Sequence, residues 1–193
     1  MRQLLLFLLC LFGTAVFAES AGDAGSKSDV DQGSRSGFVS DSDSGQASFV
    51  QTPYKEPKVV FDFYFDEPEK INTALYWIRS IMNPLSEAPY NYAPEFMDIK
   101  VVIHGVEIVT VVKQNYEKYK TSVERMKYYA QLGVEFKVCS LAAGDFGYSQ
   151  SDFHEFIQLV PSAMPELAHW QMEGYALITP KIMDKKFSNE ELR

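Results

Sequence analysis

The chain has 193 residues, is 46% hydrophobic and carries a formal charge of -8. That is enough apolar material for one domain around one core. The acidity argues against nucleic acid as a partner, because a phosphate backbone is held by clustered lysine and arginine.

Residues 1–18, MRQLLLFLLCLFGTAVFA, have the three parts of a secretory signal peptide. Arg2 gives a positive start, Leu4 to Phe12 an apolar stretch, and Val16-Phe17-Ala18 a small-residue cleavage site. The apolar stretch falls short of the roughly 20 residues that span a bilayer, so no stable membrane insertion is expected. Leu9 precedes Cys10 where a lipoprotein signal needs a small residue. Export to the periplasm is therefore expected. Cleavage would remove Arg2 and Cys10, making the charge -9 and Cys139 the only thiol.

Residues 19–56 are rich in Ser, Gly and Asp without sustained periodicity. Such a segment buries too little apolar area to offset its ordering entropy, so a disordered spacer is expected. From Pro57 the pattern changes. KVVFDFYF (58–65) reads as a strand. Asp66, with Pro68 and Glu69 after it, reads as the capped start of a helix. Ile71, Leu75, Ile78 and Met82 place one helical face on the core, and the helix is expected to stop near Asn83-Pro84. The loop 84–96 carries three prolines and two tyrosines.

IKVVIHG (99–105) reads as the second strand. Val112, Tyr116, Tyr119, Val123, Met126 and Ala130 trace a long amphipathic helix that Gly133 ends. VEFKVC (134–139) is the third strand, followed by a broken helical stretch. FIQLV (156–160) is the fourth. Ser162 opens a short helix through Pro165, Leu167 and Trp170. GYALIT (174–179) is the fifth strand, and the tail 181–193 is polar, with a composition that allows a loose helix. Strands alternating with helices predict an α/β fold: a mainly parallel five-stranded sheet in a three-layer α/β/α sandwich.

In an open α/β sheet, ligands bind beyond the carboxyl ends of the strands. His104 and Cys139 are the two strand-end groups fit for polar chemistry near neutral pH. A thiol where a helix begins meets backbone amides that favour an anionic sulfur, and an imidazole nearby can accept its proton. Each also has a plainer reading, Cys139 as an inert buried thiol and His104 as a strand-end histidine bonded to backbone. His154 and His169 read as surface or packing residues. Other chemistries lack their motifs. FYFDEPEK has no glycine for a phosphate loop, no GxSxG elbow exists, and no CxxC or zinc-ligand spacing occurs, so no cofactor or metal is expected.

The succession KVVIHG, a long helix ending in LGVEFKVC, then SLAA and finally GYALITP resembles the DsrE/DsrF-like (YchN-like) family, which includes sulfur-relay proteins of the TusD/DsrE type. The most specific part is Gly133, Val134, Val138, Cys139, Ala142 and Ala143. The resemblance implies a flavodoxin-like fold and homo-oligomers, trimers or hexamers. It also implies that Cys139 accepts sulfane sulfur as a persulfide and passes it to a partner. On that reading His104 is a modulator of the site, and Gly105 with the Ser140 and Leu141 amides forms a polar cradle. The sulfur donor or acceptor is a protein or a small sulfur compound. GDFGY, with Asp145, stands where relay members often carry Arg-Gly. Two alternatives stay open: an oligomeric binding or scaffold module using the loop 84–96, and a thiol redox partner acting through intermolecular disulfides.

Overall fold

Five short strands carry the architecture: β1 (Lys58–Phe63), β2 (Asp98–Ile103), β3 (Glu135–Cys139), β4 (Ile157–Val160) and β5 (Ala176–Ile178). The structure is a computed structural model that describes residues 47–193. The expected signal segment and the spacer as far as residue 46 lie outside the described residues. Residues 50–193 form one unit. The strand order is β4-β3-β2-β1-β5, and every pairing is parallel.

That order follows from the handedness of crossovers. The chain steps one way from β1 to β4, which keeps α1 (Ile71–Ser86) and α2 (Tyr116–Gln131) on one face. Reaching β5 reverses the direction, so α4 (Ala163–Met172) crosses the other face. The first face is the main core. Val59, Phe61, Phe63, Ile99, Val101, Ile103, Phe136 and Val138 meet Ile71, Leu75, Ile78 and Met82 of α1 and Met126 of α2. The second face holds a smaller cluster, Val60, Val102 and Cys139 under Ala163, Leu167 and Tyr175.

The expected α/β sandwich is therefore observed, and local differences have physical causes. The first strand ends at Phe63, because the backbone beyond it turns away to the bonds described below. Asp66 does not cap the helix. A 3-10 turn over Pro68–Lys70 leads into α1, and Asp66 instead accepts a hydrogen bond from Lys70 Nζ at 2.7 Å. Pro84 lies inside α1, near its end, rather than stopping it. It removes one hydrogen bond to the preceding turn, and only two helical residues follow it.

The second long helix starts at Tyr116, and Val112 instead bridges to Phe153. Residues 106–111 wind as a 3-10 segment, where five β-branched residues disfavour an α-helix. Gly133 ends the helix with φ +97, a conformation that favours glycine. No helix follows α4 in the tail. The two tyrosines of the loop 84–96 hold the chain's own lead-in segment. Tyr90 donates to the Thr52 carbonyl, and Tyr92 donates to the Tyr54 carbonyl at 2.8 Å.

Candidate functional site

The chain leaves β3 through α3 (Ser140–Asp145), whose Ala143 joins the main core, and leaves β4 through α4, whose Leu167 joins the smaller cluster. Two adjacent strands thus hand over to opposite faces. The crevice such a switch creates is where open α/β sheets bind ligands. Cys139, paired in register with Val160, is the last residue of β3 at that point.

Cys139 is the N-cap of α3, and its Sγ accepts the Ala142 N–H at 3.5 Å. The amide that meets the sulfur is one residue beyond those of Ser140 and Leu141. Leu141 itself is 66% exposed. The thiol is free and only 5% exposed, set among Val60, Val102, Ala163 and Leu167. Sequence reasoning placed the cysteine on the right strand end but could not resolve its burial, which depends on α4 lying over it.

His104 follows β2 directly, and its N–H extends the ladder to the Phe63 carbonyl at 3.1 Å. Because Ile103 pairs with Val138, His104 and Cys139 occupy neighbouring positions on one face. The imidazole nevertheless leans the other way. Nε2 lies 2.7 Å from Asp62 Oδ1, and the ring stacks on Tyr64 with centroids 4.9 Å apart. Asp62 is itself held by Thr179, whose hydroxyl donates to Oδ2 at 3.2 Å. Among the described residues no hydrogen bond links His104 to Cys139. The structure brings the two onto one face of the sheet without joining them.

Beneath this crevice lies a group that the sequence reading did not single out. Glu107 is fully buried. Its carboxylate accepts from the backbone N–H groups of Phe65 at 3.0 Å, Gly105 at 2.9 Å and His104 at 3.2 Å. It clamps the end of β1 to the end of β2. Burial holds its carboxyl above the ordinary glutamate range, although the Gly105, Glu107 and Phe65 amides pull the other way. Gly105 is required by the same clamp, since a Cβ there would sit 2.6 Å from Phe65 N and against Glu107 Oε2. The signal was available: a lone acid in the apolar run GVEIVTVV has to be paired or exposed.

The clamp shapes a cavity of about 330 Å³ bounded by Tyr64, Asp66, His104, Gly105, Ala142 and Phe146. Cys139 is not on its wall; Ala142, the donor to its sulfur, is. Among the described residues no group of three or more His, Cys, Asp or Glu could hold a metal. None of their helices is long and apolar enough to cross a membrane.

A five-stranded, all-parallel sheet with helices on both faces defines a flavodoxin-like α/β protein, with Cys139 at the switch point. The DsrE/DsrF-like family model matches residues 58–180, and the chain belongs to that family. Two solved structures align with it. A protein of unknown function, MTH1491 from Methanobacterium thermoautotrophicum, is 23% identical over 63% of this chain and 97% of its own, with a TM-score of 0.48. The ychN protein from E. coli is 13% identical over the same shares, 63% and 97%, with a TM-score of 0.47. No curated protein sequence matches the chain.

Proposed function

We propose that this is an exported sulfur-binding or sulfur-transfer protein that carries sulfane sulfur as a persulfide on Cys139. The observation that carries the reading is the Ala142 amide aimed at Sγ where β3 hands over to α3. Membership of the DsrE/DsrF-like family, with its relay members, supports it. The Cys139 thiolate attacks the outer sulfur of a donor. A new S–S bond forms at Sγ, the donor's S–S bond breaks, and the electron pair leaves with the donor's remaining sulfur. The exchange is redox-neutral. A chain whose only mature thiol is Cys139 cannot lose the persulfide to an internal disulfide.

The signal-like residues 1–18 support export to the periplasm, and the family resemblance supports a homo-oligomer, trimer or hexamer. Transfer requires the sulfur to be uncovered, and the cover over it is α4, through Ala163 and Leu167. The test is to incubate the signal-free chain with polysulfide and measure its mass. A gain of one sulfur atom, absent in Cys139→Ala, is expected. No gain, or a gain that survives the substitution, removes the proposal.

One observation favours a second reading. Cys139 sits among hydrocarbon side chains, as an inert core thiol would. On that reading the protein is an oligomeric binding or scaffold module without covalent chemistry. Native Cys139 that reacts with a small thiol reagent no faster than the chain unfolds would favour it.

A further inference from the structure

Away from the strand-end crevice, a second cavity of about 570 Å³ opens between the last turns of α2 and the segment leading into β4. His154 stands on its wall, and Nε2 of that ring is buried with no hydrogen-bond partner in the protein. Buried polar atoms are almost always partnered, so one that is not calls for an explanation, and a bound molecule in the adjoining cavity is one. The ring is fixed rather than loose. Phe156 stacks on it with centroids 5.9 Å apart, and Tyr116 meets it edge-on at 5.7 Å.

The rest of the wall has a definite chemistry. Phe156 and Ala130 give an apolar surface, and Lys113 and Lys127 bring two ammonium groups. Lys113 Nζ donates to the Ser151 carbonyl at 3.0 Å, and Lys127 Nζ pairs with Glu124 at 3.0 Å. An ammonium has three donors, so each keeps donors for a further acceptor. Glu155 is the one carboxylate on the wall. A cavity of this size with apolar sides and a few convergent polar groups has the form of a small-molecule site.

We propose that this cavity binds a small organic acid with a flat apolar body. The carboxylate meets the two lysines beside the His154 ring, and the body lies along Phe156 and Ala130. The site is independent of Cys139 and of the sulfur reading.

A proton linkage gives this site its own signature. Burial, then the charges of Lys127 and Lys113, hold free His154 below the ordinary histidine range, while Glu124 and Glu155 act weakly in the other direction. A bound anion favours the imidazolium, so the His154 titration must move up on binding. Affinity must rise as pH falls through the histidine range.

The experiment is an NMR titration of the purified, 15N-labelled chain with benzoate and, separately, with benzylamine. Benzoate is expected to shift Ala130, Phe156 and the His154 ring, to raise the His154 titration midpoint, and to bind at least tenfold tighter than benzylamine. His154→Gln is expected to abolish the pH dependence. Lys127→Ala, at a partly exposed position that leaves the fold intact, is expected to weaken benzoate several-fold. Absence of benzoate binding, equal binding of benzylamine, or shifts that map elsewhere would overturn the proposal. So would unchanged benzoate affinity in both variants.

Discussion

Under α1 and α2 the inward strand residues are hydrocarbon from Val59 to Val138, whereas the face under α4 changes character along its length. Its middle is apolar, with Val60, Val102 and Cys139. Its amino-terminal half carries Asp98, Lys100, Glu135 and Lys137. Lys100 is only 6% exposed, paired with Asp98 at 2.7 Å and with Glu135, and it lies 4.8 Å from the Trp170 ring centroid. Trp170 in turn donates to Glu166, which also lies 3.6 Å from Lys137. One face is held by area, the other by a network around a single helix. The contrast shows how one helix suffices on a sheet face: aromatic rings and satisfied charges replace the hydrocarbon that a second helix would have supplied.

Truncating a fully buried ring on the first face has the largest expected effect. Phe61→Ala should cost about 3–5 kcal/mol, the transfer loss plus a cavity that α1 cannot close. Leu167→Ala on the second face should cost nearer 2 kcal/mol, at the bottom of the range for such changes, because Leu167 is already 7% exposed beside solvent-reachable α4. Urea melts of the two variants make the comparison. Equal losses would mean that the second face is as much a hydrocarbon core as the first.

Glu107→Ala belongs next, at about 3 kcal/mol, because it strands the Phe65 and Gly105 N–H groups and takes one of two acceptors from the His104 N–H, which keeps the Phe63 carbonyl. Glu107→Gln should recover part of this, since its amide oxygen serves one side of the clamp while its NH2 confronts the other. A melt in which Gln costs as much as Ala would show that charge, not acceptor count, holds the two strand ends together.

Breaking the network by Lys100→Ala should cost about 2 kcal/mol, less than a fully buried pair because Asp98 and Glu135 are partly solvated. Lys100→Met, which keeps the stem against Trp170, should cost less than half of that. The pH dependence probes the same groups. Burial raises the carboxyls of Asp98 and Glu135, but Lys100, with Tyr175 on Asp98 and Lys137 on Glu135, more than offsets it and holds both below their ordinary values of 3.8 and 4.5. Their contribution is complete above those values and is lost as pH falls through the lower folded ones. Glu107 works in the opposite sense: its contribution is complete below its ordinary 4.5 and is lost as pH rises through its higher folded value. Acid melts below about pH 4 should therefore fall steeply in the native chain and less so in Lys100→Met.

The first face was legible in the sequence because hydrocarbon periodicity records it directly. Ile71, Leu75, Ile78 and Met82 could face nothing but a core, and each is buried. The second face was not, because Lys100 and Lys137 look like the solvent side of an alternating strand. Only the sheet order, which sends α4 back across β3, β2 and β1, buries them. Cys139 and His104 were legible as strand ends, since that depends on local pattern alone. The partner of His104 was not, because Asp62 lies 42 residues away on β1 and nothing local links the two.

That partnership supplies a small stability effect and a sharp test of the site. A carboxylate only accepts, so the Asp62 contact places the hydrogen on Nε2 and leaves Nδ1 as the nitrogen with a free lone pair. Asp62→Ala should change stability by about 1 kcal/mol, the net worth of one hydrogen bond, here between side chains 13% and 21% exposed. The ring should nonetheless lose its single tautomer, and 15N shifts should report a mixture where the native chain reports hydrogen on Nε2. Thr179→Val, which removes the hydroxyl on Asp62 Oδ2, should produce a weaker form of the same change. If the ring keeps one tautomer without Asp62, its orientation comes from stacking on Tyr64, and the strand-end face is organised by aromatic contact just as the Trp170 region is.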